Sequence, residues 1–405
     1  MAEPVIVAAA RTPIGRAFKG SLVDARPDDL AAGIVQAVLA KVPELDSADI
    51  EDLMLGCGLP GGEQGYNMAR VVSLLAGLDG VPGTTLTRYC ASSLQTIRMA
   101  AHAIKAGEGD VFIAAGVETV SRYVKGTSDS LPDTTNPLFA EAAQRTAERA
   151  QGGAQPWAET PTGQLPDIYV AMGETAENVA QIENVSREEM DEFALLSQTR
   201  AVESQKNGFF EREITPVTLP NGNVVTQDDG PRPDTTIEKL SSLQPVFRPD
   251  GRVTAGNACP LNDGAAAVVV MSDTKARSLG LKPLARIVSS AVSALNPEIM
   301  GLGPIEASRQ ALARAGMTID DIDLVEINEA FAAQVIPSAR ALGIEWDKLN
   351  VNGGSIAVGH PFGMTGARIT NTLLNGLTTA DKTVGLETMC VGGGMGMAMI
   401  IERVS

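Results

Sequence analysis

A chain that repeats itself at long range must fold both copies alike, and this constrains its architecture more than composition could. The segment ADIEDLMLG begins at residue 48, and its counterpart DDIDLVEIN begins at residue 320. Each follows a helix-like stretch, LAAGIVQAVLAK and EASRQALARAG. Further on, TRYCASSLQTIRMAAHAIKAGEGDVFIAAG starts at Thr87, and VGHPFGMTGARITNTLLNGLTTADKTVGLE starts at Val358. The separation stays near about 271 residues, which marks a duplication. Both copies read as a turn, a helix, an Asp-led loop and an apolar strand. Leu94, Ile97, Ala101 and Ile104 recur at helical spacing in the first, and Ile369, Leu373 and Leu377 in the second. Alternating strands and helices predict α/β halves whose sheets are covered by helices. The superposition sets Cys90 and His360 in equivalent places, each just before its helix. Halves related by a two-fold could bring them together.

Between the copies the composition changes. From about 121 to 261 the chain is first rich in Pro, Gly, Ser and Thr around one short helix, then strongly helical over 173–210, with a cap expected at Ser186 before Glu189. This reads as an inserted loop domain covering a site. The division expected is therefore 1–120 plus 262–275 for the first half, 121–261 for the insertion and 276–405 for the second half. A length of 405 residues suits such a multi-part chain.

Asp plus Glu number 49 against 32 Lys plus Arg, and this net charge of -17 argues against nucleic acid as a partner. A small anionic ligand would have to meet a few local basic groups. No apolar run approaches the roughly eighteen residues of a membrane span. The start, MAEPVIVAAARTPIG, lacks a basic region before its apolar run and reads as a first strand over Val5–Ala9, not as a signal peptide. Four scattered cysteines without CxxC pairing point to free thiols in a reducing cytoplasm rather than to disulfides or zinc.

Few residues are free to carry chemistry. The chain has only two histidines, His102 and His360. His102 lies in a helix and reads as structural, whereas His360 sits in NVNGGSIAVGHPFG, where glycines let backbone pass close by. Cys57 ends a strand and reads as a small core hydrophobe. Cys90 precedes a helix, whose N-terminal dipole is expected to stabilise a thiolate. Cys390 lies in LETMCVGGGMGMAMIIE, a strand, a glycine turn and a return strand; such a turn can aim N–H groups at an oxyanion. GGGMG is followed by a strand where a dinucleotide fingerprint needs a helix, and GHPFGMTGAR lacks the Lys-Ser/Thr of a P-loop.

The motifs RTPIG (11–15), TAGNACPLNDGAAA (254–267), NEAFAAQ (328–334), NVNGGSIAVGHPFGMTGAR (350–368) and ETMCVGGGMGMA (387–398) together resemble the thiolases, the acetyl-CoA acyltransferases. The resemblance spans nearly the whole chain. It implies a thiolase-like α/β fold, two duplicated halves packed in αβαβα layers with an inserted loop domain. It implies transfer of an acyl group between CoA thioesters, with no cofactor or metal. Cys90 matches the nucleophile, His360 the histidine that activates it and helps form one oxyanion hole, and Asn328 the residue holding a water there. Cys390 matches the acid/base, and the N–H groups of Cys90 and Gly392 match a second oxyanion hole. Arg232, Cys259, Met172 and Phe331 fall at positions expected to contact CoA or the acyl chain. A homodimer or dimer of dimers is expected, and a hydratase/dehydrogenase partner subunit is compatible.

Two departures from the family's pattern bear on substrate. Many thiolases read Gly-Asn-Ala-Ser-Gly where this chain has Cys259 and Pro260, and a thiol is the weaker hydrogen-bond donor. Biosynthetic acetoacetyl-CoA thiolases carry His where Ala171 precedes Met172. These favour a degradative 3-ketoacyl-CoA thiolase. The alternatives are a biosynthetic acetoacetyl-CoA thiolase and a non-catalytic acyl-CoA-binding subunit, which would lack a catalytic position. A condensing enzyme with a single cysteine is disfavoured by Cys390.

Overall fold

The computed structural model describes residues 2–125, 134–153 and 156–404. Along the chain, the first half contains β1 (Pro4–Arg11), β2 (Gly15–Arg16), α1 (Pro27–Leu39), β3 (Asp52–Cys57), α2 (Met68–Leu75), β4 (Gly83–Leu86), α3 (Ser92–Ala106) and β5 (Val111–Thr119). Then come α4 (Ala140–Ala150), α5 (Met172–Ile182), α6 (Arg187–Lys206), the short strands β6 (Val217–Thr218) and β7 (Val224–Val225), and α7 (Ile237–Ser241). The remainder is β8 (Asn262–Ser272), α8 (Asp273–Ser278), β9 (Ala285–Ala294), α9 (Gly303–Ala315), β10 (Leu324–Ile327), α10 (Ala332–Leu342), α11 (Ser355–Val358), α12 (Thr365–Thr379), β11 (Val384–Val391) and β12 (Met395–Arg403).

The duplication is visible in the strand order. On one side run β4-β3-β5-β8-β1, and on the other β10-β11-β12-β9. In each, two parallel pairings (β4/β3 and β3/β5; Leu349/Val325 and β10/β11) are followed by two antiparallel ones (β5/β8 and β8/β1; β11/β12 and β12/β9). The halves join edge to edge where Val5 and Ile6 of β1 meet Arg286 and Ala285 of β9. Strands β1, β5 and β8 are buried along their whole lengths, which is why they read as continuous Ala/Val/Ile runs rather than alternations.

The equivalent helices α3 and α12 lie against each other in the middle layer. Leu94 and Ile97 are fully buried there, each worth about 1.5–3 kcal/mol in apolar burial. Gly366 makes the approach possible: a Cβ there would stand 2.1 Å from the backbone nitrogen of Leu94. Ala367 N–H also bonds Ser93 Oγ at 2.9 Å. The N-termini of α3 and α12, carrying Cys90 and His360 just upstream, are thereby fixed relative to one another.

The strongly helical stretch over 173–210 holds α5 and α6, separated where Asn184 takes φ 52°, with Ser186 as the cap of the second. The second begins with a capping box: Glu189 N–H bonds Ser186 Oγ at 3.1 Å and Ser186 N–H bonds Glu189 Oε2 at 2.9 Å. Among the described residues, no helix is long and apolar enough to cross a membrane.

Candidate active site

Cys90 is held in a one-turn 3-10 helix between β4 and α3. Tyr89 before it adopts φ 42°, a left-handed conformation costly for a residue with a Cβ. The turn is pinned on both sides. Tyr89 N–H bonds Thr87 Oγ1 at 3.2 Å, while Ser92 Oγ donates to Tyr89 O at 2.7 Å and accepts from Arg88 N–H at 2.9 Å. Cys90 itself is 8% exposed, and its sulfur accepts hydrogen bonds from the N–H groups of Gly392 and Cys90.

Burial nevertheless pushes the Cys90 thiol up to about 11, outweighing those N–H bonds. Desolvation thus exceeds what the N–H groups at the helix start return, which favours the neutral thiol. Cys390, at the end of β11, is fully buried, and burial, then Cys90 and Cys259, hold its thiol well above the usual range. Cys259 is half-buried and is likewise raised, first by burial and then by Cys90. Three of the four cysteines thus lie within electrostatic reach of one another. Cys57 does not join them; it packs beneath Glu118, whose carboxylate bonds the N–H groups of Gly58 at 2.7 Å and Gly363 at 2.8 Å. That buried carboxylate ties the loop of His360 to the end of β3. All four cysteines are free.

His360 is 1% exposed. Its Nε2 lies 3.3 Å from Asn328 Nδ2, its Nδ1 lies 2.6 Å from Thr365 Oγ1, and its N–H bonds Asn262 Oδ1 at 2.9 Å. Burial, then the charge of Arg368, pushes the imidazole down to about 3, so it is neutral. His102, by contrast, is exposed on α3.

A cavity of about 240 Å³ opens at Cys90. Leu59, Tyr89, Ile168, Val170, Met172, Phe362, Gly392 and Gly393 are among its lining, and none of the described lining residues is charged. Met172, one of the expected substrate contacts, is thus among the lining residues. Phe331 is not: its ring packs against Phe247 in the core, and it lines neither this cavity nor the next. Its backbone bridges Ala258 while Ala330 O accepts Cys259 N–H at 3.0 Å, so the NEAF turn holds the Cys259 segment in place.

A second cavity, of about 160 Å³, gathers Arg16, Arg232 and Lys239 in an acidic chain, with Asp234 also in its lining and paired to Lys239 at 2.7 Å. Pro260 lines it, directly after Cys259 of the sulfur cluster in the chain. Arg16 went unremarked in the sequence reading. Burial and the neighbouring Arg232 weaken its hold on its proton, and its Nε is buried without a hydrogen-bond partner. The signal available was a basic residue directly after RTPIG. Arg11 of the same motif is instead sealed in the core, paired with Glu213 at 2.7 Å and Asp228 at 2.8 Å.

Comparison with known proteins gives the same reading over the whole length. Residues 4–274 match the model of the thiolase N-terminal domain, and residues 281–403 that of the thiolase C-terminal domain. The chain is 44% identical to the 3-ketoacyl-CoA thiolase of Bacillus subtilis (strain 168), covering 99% of this chain and 100% of that one. It is also 44% identical to the beta-ketoadipyl-CoA thiolase of Pseudomonas aeruginosa, covering 99% of each. The crystal structure of the Bacillus anthracis acetyl-CoA acetyltransferase superposes with a TM-score of 0.85 at 38% identity, over 100% of this chain and 99% of that one. With its paired half-sheets, its cysteine turns meeting at one apolar cavity and these matches from end to end, the chain belongs to the thiolase family and is an acyltransferase acting between CoA thioesters.

Proposed function

We propose that the protein works in the degradative direction, cleaving a 3-ketoacyl-CoA by a ping-pong route through a thioester on Cys90. The supporting observation is the sulfur of Cys90 at the mouth of an uncharged cavity, bonded by Gly392 N–H, with Cys390 two residues away in sequence.

In the first half-reaction His360 Nε2 takes the Cys90 proton, and the sulfur attacks the 3-keto carbon. The bond between C2 and C3 breaks, acetyl-CoA leaves as its enolate, and the Cys390 thiol protonates the α-carbon. In the second, CoA–SH gives its proton to the Cys390 thiolate and its sulfur attacks the Cys90 thioester. Acyl-CoA departs, and imidazolium returns its proton to Cys90. A thiol of raised pKa suits the acid role of Cys390, and neutral His360 suits that of base. The N–H groups of Gly392 and Cys90 would stabilise the oxyanion on the acyl carbon, and Asn328 with His360 would hold the enolate oxygen.

The uncharged lining at Cys90 favours a neutral, apolar acyl chain over one ending in a carboxylate, while Arg16, Arg232 and Lys239 would meet the CoA phosphates. The segment 121–261 supplies Arg232 and Lys239 to that site, consistent with an inserted domain over CoA. Four free thiols suit a reducing compartment such as the cytoplasm. A homodimer is supported by Val71, Leu74 and Leu75 on α2 and by Tyr66 (98% exposed) just before it, which leave an apolar face beside the edge strand β4. A thiolysis assay comparing acetoacetyl-CoA, 3-ketooctanoyl-CoA and 3-oxoadipyl-CoA tests the substrate reading. Preference for the dicarboxylic substrate would contradict it.

A further inference from the structure

Two buried residues outside the reacting set, Ser355 and Arg368, stand behind Asn328. Ser355 Oγ lies 2.6 Å from Asn328 Oδ1 and 2.6 Å from Arg368 Nη2. All four side chains in the chain from Arg368 to His360 are buried. The direction of every hydrogen then follows from Arg368. A guanidinium only donates. Ser355 Oγ therefore accepts from Arg368 and turns its own hydrogen to Asn328. Asn328 must present its carbonyl oxygen to Ser355, which aims its NH2 at His360 Nε2 at 3.3 Å. Nε2 is thereby the unprotonated nitrogen, its lone pair accepting from Asn328, and the proton of neutral His360 sits on Nδ1. Nδ1–H donates to Thr365 Oγ1 at 2.6 Å, whose hydroxyl donates onward to Pro361 O at 2.8 Å. Both ends of the chain agree: it begins at an obligate donor and ends at an obligate acceptor.

We infer that Ser355 and Arg368 are positioning residues that fix the tautomer of His360 as Nδ1–H, keeping Nε2 unprotonated so that it can exchange its Asn328 contact for the proton of Cys90. Among the described residues Arg368 donates to no side chain but Ser355, and its Nε has no partner. Without the Ser355 hydroxyl, the Asn328 amide is free to turn over and offer its oxygen to Nε2. That orientation favours Nε2–H, a form unable to accept the thiol proton. The inference rests on reading Cys90 and His360 as nucleophile and base, but its test does not depend on activity alone.

The chain's two histidines make the test direct, since a nitrogen-15 spectrum of the imidazoles contains two rings and exposed His102 is assigned by His102→Gln. Wild-type His360 is expected as Nδ1–H at neutral pH; Nε2–H or imidazolium overturns the relay. Ser355→Ala is expected to populate Nε2–H and to slow the burst of CoA released from acyl-CoA about tenfold, with KM within about twofold. Ser355→Thr, which keeps the hydroxyl, is expected to retain Nδ1–H. The relay stands only if both readouts move in Ser355→Ala; either one unchanged overturns it. Should Ser355→Ala fail to fold, the wild-type tautomer decides alone. Loss of the covalent adduct on wild-type Cys90 would instead sink the proposed function and leave the tautomer result standing.

Discussion

The sulfur of Cys90 accepts the backbone N–H of Gly392, and this contact joins the turn before α3 to the glycine turn after β11. It therefore reports directly whether the two halves are assembled. It also places a donor at the reacting sulfur without charging it, since burial keeps the thiol neutral despite the bond.

A neutral pair predicts an unusual pH profile. With Cys90 near 11 and His360 near 3, thiol and imidazole are both uncharged throughout the neutral range. The rate constant kcat/KM for acylation, which reads the free enzyme, should be flat within about twofold from about pH 5.5 to 9. A limb near pH 6.5 would show instead an imidazole titrating at its ordinary value, as in a resting ion pair.

The basic cavity should discriminate CoA from its truncated form. Arg16→Ala removes one of its three cations, and the lost charge-assisted bond is worth about 1–2 kcal/mol, or roughly 5–30-fold in KM for acyl-CoA. The same variant should treat an acyl-pantetheine thioester, which lacks the nucleotide, as wild type does. Equal loss with both thioesters would place Arg16 outside the nucleotide site.

Glu326 on β10 carries a stability cost that varies with pH. Burial pushes its carboxyl up to about 8, with Arg368 only partly opposing. The folded protein thus holds a proton that the unfolded chain releases near pH 4.5, so this group makes stability fall as pH rises from about 4.5 to 8 and then level off. Glu326→Gln should flatten that fall and raise the midpoint of thermal unfolding at pH 8, by the equivalent of at least about 1 kcal/mol. A variant with the wild-type slope between pH 5 and 8 would contradict this.

Much of the fold was legible because the duplication fixed it twice. The spacing of Leu94, Ile97 and Ile104 gave α3, and its counterpart gave α12. Cys390 and His360 stood out through their glycine-rich settings, Cys90 through its place before a helix, and Asn328 through its match to the family's motif. What escaped depends on contacts between segments distant in the chain. Arg11 and Arg16 lie in one short run, yet one is locked against Glu213 and Asp228 and the other faces Arg232. No local pattern separates them. Phe331 sits inside a recognised motif, but its ring turns to Phe247, in the loop that follows α7. The start of α3 is visible in sequence, whereas the burial that raises the Cys90 thiol depends on how distant segments pack around it.

Mass spectrometry of the protein after brief exposure to an acyl-CoA tests the central claim most directly. Wild type should carry one acyl group on Cys90, Cys90→Ala should carry none, and Cys390→Ala should still acylate at Cys90 yet fail to exchange the acetyl methyl protons. Because such residues act as a unit, the losses are not additive energies. A stable adduct on Cys390 in wild type, or none on Cys90, would contradict the assignment of nucleophile and acid.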